Sequence, residues 1–110
     1  MKLYLDTSTP KTILRLDEKT YEWESGRDLA ENLLKFLNEK LAENGKTWAD
    51  LTEITFMSGP GSFTGLRIGA AIVNTLASEL KIPLKNHKNE TVKLILPEYG
   101  SGANISKPRK

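Results

Sequence analysis

Residues 53–80 constrain the fold more than any other stretch. Glu53-Ile54-Thr55-Phe56-Met57 alternates as a strand does, Ser58-Gly59-Pro60-Gly61-Ser62 breaks the chain, and an apolar helical pattern then runs over about residues 63–80. A strand fed through a glycine turn straight into a long apolar helix is the building step of α/β folds. Ile82-Pro83 ends the pattern, since proline lacks a backbone N–H and disfavours helical geometry in the residue before it.

Upstream, Lys2 to Asp6 reads as a strand, Thr7-Ser8-Thr9-Pro10 as a polar turn, and Lys11 to Leu16 as a second strand. Asp17-Glu18-Lys19 reverses the chain into Thr20-Tyr21-Glu22-Trp23-Glu24, which completes an antiparallel meander. Ser25-Gly26-Arg27-Asp28 has the form of a capping box for a first helix. Leu29, Leu33, Leu37 and Leu41 then recur every fourth residue, joined by Ala30, Leu34 and Phe36, until Asn44-Gly45 closes the helix. Thr47 to Leu51 is one short helical turn. Leu84 onward is a poor fifth strand, Val92-Lys93-Leu94-Ile95-Leu96 a clearer one, and residues 97–110 an extended basic tail. The expected order is βββαβαβ, a mixed sheet with two main helices, in one lobe over residues 1–96.

The second helix carries more apolar surface than docking on a sheet requires. Leu66, Ala70, Val73, Ala77 and Leu80 form one stripe, and Ile68, Ile72 and Leu76 form another beside it. Together they take up about half the circumference, against the roughly 100° a sheet needs. With few elements to bury a second face in so short a chain, the excess favours a partner, and Gly69, Ala70 and Ala71 permit close approach. The expected interface is Leu33, Phe36 and Leu37 of the first helix with Ile68, Gly69, Ala70, Ile72, Val73 and Leu76 of the second.

Composition narrows the chemistry. The 110 residues contain no cysteine and one histidine, His87, which excludes disulfides, thiol nucleophiles, zinc–thiolate sites and paired-imidazole metal centres. The start of the chain does not resemble a targeting segment, no run approaches a membrane span, and a cytoplasmic location is expected. Net charge is +2, split as 9 Lys/Arg against 12 Asp/Glu in residues 1–80 and 7 against 2 in residues 81–110. The basic end reads as a solubilising tail, with an RNA or acidic-protein contact as the sharper alternative.

A glycine turn between strand and helix can cradle phosphate. This one lacks the lysine of a P-loop, and Gly59, Gly61 and Gly65 miss the dinucleotide spacing. By physics alone, Ser62 or Thr64 caps the helix while Gly59 and Gly61 let the chain turn. As a string, however, Gly59-Pro60-Gly61-Ser62-Phe63-Thr64-Gly65-Leu66-Arg67-Ile68-Gly69 resembles the signature of the TsaB (YeaZ) family, bacterial proteins needed to make threonylcarbamoyladenosine on tRNA. Leu5-Asp6-Thr7-Ser8-Thr9, Trp48-Ala49-Asp50-Leu51 and Ile82-Pro83-Leu84 agree in order, so the resemblance spans about residues 1–85.

The resemblance implies a lobe of the actin-like ATPase superfamily (ASKHA, ribonuclease H-like), and a non-catalytic relative of the transferase TsaD. It implies docking on a TsaD-like subunit through the two helices, with a TsaE-like ATPase joining, homodimers in isolation, and tRNA engaged indirectly through the complex. Family members run to about twice this length and carry a second lobe. Pro97-Glu98-Tyr99 is similar to a Pro-x-Tyr near the end of longer members, which fits an internal deletion. Ser8 stands where catalytic relatives commonly place glycine, which lowers the expectation of ATP chemistry.

No catalytic residue, metal or cofactor is expected. Asp6 is read as a turn former, the alternative being a holder of metal-bound water. Ser62 lacks a nucleophile elbow, and His87 is expected in an exposed, charged segment, which disfavours a pair between them. Arg67 is expected to pin the glycine loop. The reading is a scaffold subunit; the alternative is a small nucleotide-binding enzyme or peptidase-like protein of the same superfamily acting alone.

Overall fold

The computed structural model describes residues 1–98. Its sheet is built from β1 (Lys2–Asp6), β2 (Lys11–Leu16), β3 (Lys19–Glu24), β4 (Glu53–Phe56), β5 (Leu84–Lys85) and β6 (Thr91–Val92), in spatial order β3-β2-β1-β4-β5-β6. The first three strands pair antiparallel, β4 joins β1 in parallel, β5 joins β4 in parallel, and β6 returns antiparallel. The two helices, α1 (Leu29–Glu43) and α2 (Phe63–Leu80), fill the crossovers from β3 to β4 and from β4 to β5. This is the expected mixed sheet with two main helices, and the two strands expected after α2 are each only two residues long.

Register puts most of the large apolar strand residues on one face, with Tyr4 and Ile13 on the other. Leu3 lies opposite Leu16 and Ile54, and Leu5 opposite Leu14 and Phe56, so these six share a side and are buried. Leu29, Leu33, Phe36, Leu37 and Leu41 of α1 close over that side together with Leu66, Ala70, Val73 and Ala77 of α2. Trp23 stacks on Phe36 with ring centroids 4.9 Å apart, which ties α1 to the β3 edge. The other face is polar and lacks a helix among the described residues. There Arg15 lies 5.1 Å over the Tyr4 ring, Lys11 meets Glu22 and Glu24 at 3.5 and 3.8 Å, and Lys85 meets Glu53 at 3.4 Å.

Several local expectations are corrected. Ser25 does not cap α1: its hydroxyl is buried against Thr12 Oγ1 at 2.8 Å and the Pro10 carbonyl at 3.2 Å, and a 3-10 turn (Gly26–Asp28) precedes the helix. The helix starts at Leu29 because this turn swings the chain from the sheet edge before apolar spacing begins. Around Trp48–Asp50 the carboxylate of Asp50 accepts from the Thr47 backbone N–H at 2.8 Å and from its hydroxyl at 3.3 Å.

The expected strand Val92–Leu96 is the largest correction. Only Thr91 and Val92 pair, because Asn74 on α2 captures the next stretch. The Asn74 amide donates to the Ile95 carbonyl at 3.2 Å and accepts from the Ile95 N–H at 2.7 Å, imitating a strand partner while Ile95 enters the core. Leu94 and Leu96 are left exposed on either side. Glu98, the second residue of the expected tail, donates its N–H to the Ser58 carbonyl at 2.6 Å. The remainder of that tail, Tyr99 included, lies outside the described residues.

Candidate functional site

From β1 the chain runs to β2 on one side and, after α1, to β4 on the other. The carboxyl ends of β1 and β4 therefore meet where the strand order reverses, the usual ligand crevice of an open α/β sheet. Asp6 ends β1 there, and the glycine run follows β4.

The chain fills this crevice with itself. Thr7 is fully buried and its hydroxyl donates to the Gly65 carbonyl at 2.7 Å; Ser62 donates its N–H to the Ser8 carbonyl at 2.8 Å. A Cβ on Gly61 would stand 2.6 Å from the Ser8 Cβ. A Cβ on Gly65 would overlap the Thr7 carbonyl oxygen, and one on Gly69 would overlap the Thr7 hydroxyl and lie 2.6 Å from the Phe56 ring. At Gly59 (φ 123°, before a cis bond to Pro60) it would overlap the Glu98 carbonyl. Gly59, Gly61 and Gly65 are small because backbone lies against them, and Gly69 because the Thr7 hydroxyl and the Phe56 ring do. The β1–β2 turn is packed directly against the glycine run.

The other candidates follow suit. Asp6 Oδ1 accepts from the Ser8 N–H at 2.8 Å and the Ser8 hydroxyl at 2.5 Å, a turn closed on its own backbone as expected. Ser62 is the N-cap of α2, accepting from the Gly65 N–H at 3.2 Å, and among the described residues no nucleophile pair includes it. Arg67 does not reach back to the loop; its guanidinium lies 5.5 Å over the Phe63 ring on the first turn of α2. Pro60 and Thr64 are exposed, and Leu66 is buried. Among the described residues no group of three or more His, Asp or Glu side chains is placed to hold a metal.

The expected interface divides in two. Leu33, Phe36, Leu37, Gly69, Ala70 and Val73 lie in the chain's own core, so they are corrected from interface to core; Ala70 is only 4% exposed. The sheet consumes the stripe that carries them. Ile68, Ile72 and Leu76, one turn apart along α2, lean on the core and keep part of their surface in solvent. On α1, Leu34 is 47% exposed.

Sequence reasoning missed one cluster. His87 is half-buried, with Nδ1 2.5 Å from the hydroxyl of Ser58, not Ser62, and Nε2 3.9 Å from the Glu98 carboxylate. The signal was absent because the three residues are distant in sequence and meet only when residues 93–98 fold back.

A family model described as TsaD: tRNA N6-adenosine threonylcarbamoyltransferase matches residues 23–86, more than half of the chain. A tRNA threonylcarbamoyladenosine biosynthesis protein TsaB from Haemophilus influenzae is 37% identical over 86 residues, 74% of this chain and 36% of that protein. The TsaB protein of Escherichia coli is 33% identical over 58 residues, 53% of this chain and 25% of its own length. Among solved structures, YeaZ from Pseudomonas aeruginosa superposes with a TM-score of 0.68 at 32% identity, covering 77% of this chain and 42% of that one. The match over residues 23–86 thus places the chain among relatives of the family described as tRNA N6-adenosine threonylcarbamoyltransferase. Among those relatives, the chain belongs to the TsaB (YeaZ) family. It spans only part of the length of the curated relatives it matches, 36% in the Haemophilus case and 25% in the Escherichia coli case.

Proposed function

We propose that this chain is a non-catalytic scaffold subunit in the making of threonylcarbamoyladenosine on tRNA, docking on a TsaD-like transferase through the solvent side of its helices. The observation that carries the reading is the row Ile68–Ile72–Leu76, an apolar edge left over after α2 has satisfied the sheet. The crowded glycine loop supports it from the other direction, since the crevice at the strand ends is occupied by Thr7 and Ser8. The family assignment supplies the pathway, and the actin-like lobe is the architecture that the element order favours. A TsaE-like ATPase, a homodimer in isolation and indirect engagement of tRNA belong to the same reading, as does a cytoplasmic setting. No helix among the described residues is long and apolar enough to cross a membrane.

The test is co-purification with a TsaD-like protein. Leu76→Asp is expected to abolish the complex while the circular dichroism spectrum is unchanged; an undiminished complex defeats the reading. The alternative, a nucleotide-dependent enzyme acting alone through Asp6 and the glycine loop, requires saturable ATP binding by the isolated chain.

A further inference from the structure

Ser58 lies just beyond β4 and is 2% exposed, yet its hydroxyl is neither a cap nor part of a backbone ladder. It meets His87 Nδ1 at 2.5 Å, and the other ring nitrogen faces the Glu98 carboxylate at 3.9 Å. A hydroxyl at hydrogen-bond distance from a base is the pair that activates a serine, and the Glu98 carboxylate stands at ion-pair distance from the other ring nitrogen. We propose that Ser58 and His87 form a nucleophilic site for small acyl esters, with Glu98 as a positioning residue. This goes beyond the scaffold reading, in which the chain is non-catalytic for threonylcarbamoyl transfer, and uses none of the α2 row.

The site is held from each direction. The Glu98 N–H is bonded to the Ser58 carbonyl at 2.6 Å, and Asn74 fixes Ile95 three residues earlier. The turn that bears His87 is closed by Asn86, whose side-chain oxygen accepts from the N–H groups of Lys88 and Glu90 at 2.9 and 3.0 Å. Ser58 and Glu98 also line a hollow of about 190 Å³ walled by Val92, Leu94 and Leu96. That volume is below the range of roughly 300–1,000 Å³ usual for drug-sized ligands, so the acyl group it admits is short and aliphatic.

The chemistry closes. Ser58 Oγ bonds to the acyl carbon as its proton passes to His87 Nδ1; the ester C–O bond breaks and the alcohol leaves with that proton. Water then attacks the acyl-serine, yields a proton to His87, and the carboxylic acid departs with Ser58 restored.

The test treats the full chain with an alkyl fluorophosphonate and, separately, with p-nitrophenyl butyrate, and maps adducts by peptide mass. The expected result is a single phosphonyl adduct on Ser58, absent in Ser58→Ala, forming about 100-fold more slowly in His87→Gln, the scale of a lost general base. Glu98→Gln is expected to alter the pH profile of labelling while leaving Ser58 the labelled residue. No adduct on Ser58 under conditions that fully label a serine esterase overturns the proposal, whatever the variants do. So does labelling of folded His87→Gln at the wild-type rate.

Discussion

The Thr7 hydroxyl donates to the Gly65 carbonyl at 2.7 Å, and the Thr7 carbonyl oxygen lies where a Gly65 Cβ would have to be. The turn after β1 and the first turn of α2 are thus locked face to face. This relationship makes the glycine run a packing device and sets the first prediction. Gly65→Ala is expected to lower stability by about 2–4 kcal/mol in urea unfolding, because the atoms in the way are backbone. Gly45→Ala, with open space around it but φ at 69°, is expected to cost only about 1 kcal/mol.

Thr7→Val tests the hydrogen bond apart from the volume. The valine fills the same buried space but removes the hydroxyl that donates to the Gly65 carbonyl, at a cost of about 0.5–1.5 kcal/mol. A change within error in the same unfolding assay would mean the bond contributes nothing.

Asn74 holds residues 93–98 by pairing with both backbone groups of Ile95. Asn74→Leu removes both bonds and is expected to cost about 1–3 kcal/mol and to speed amide exchange at Ile95 well before that at Ile54. Equal protection at the two sites would show that Ile95 is held by its apolar burial alone.

Burial, and secondarily the Asp6 carboxylate, push the Tyr4 phenol above its ordinary value, with Arg15 pulling partway back. The folded state therefore holds that proton more tightly. Its contribution is fully present below about pH 10 and is lost as pH rises from there through the raised folded value. Stability followed up the alkaline limb is expected to fall less steeply in Tyr4→Phe than in wild type. At the acid end the sign reverses. The Thr47 backbone N–H holds the Asp50 carboxyl below its ordinary value, so that contribution is present above the ordinary value and lost as pH falls through the depressed one.

The sequence made the frame of this molecule legible wherever period and punctuation agreed. β1, β2 and α2 coincide with their expected bounds because alternation, a polar turn and an Ile-Pro stop each acted within a few residues. What failed depended on distance. Nothing near Ser25 reveals that its hydroxyl prefers Thr12 to a helix N–H, and nothing near Val92 reveals Asn74 waiting on another element. The site shows the same division. The apolar excess of α2 was plain, but only the structure separates the stripe the sheet uses from the row Ile68–Ile72–Leu76. His87 met Ser58 instead of Ser62 for the same reason.

The most direct test of the central claim is the molar mass, by sedimentation equilibrium, of an equimolar mixture with a TsaD-like protein. A single species at the summed mass is expected for the wild-type chain, and separate components for Ile72→Asp/Leu76→Asp with its fold intact. Separate components for the wild-type chain, or an unchanged complex for the double variant, would contradict docking through this face.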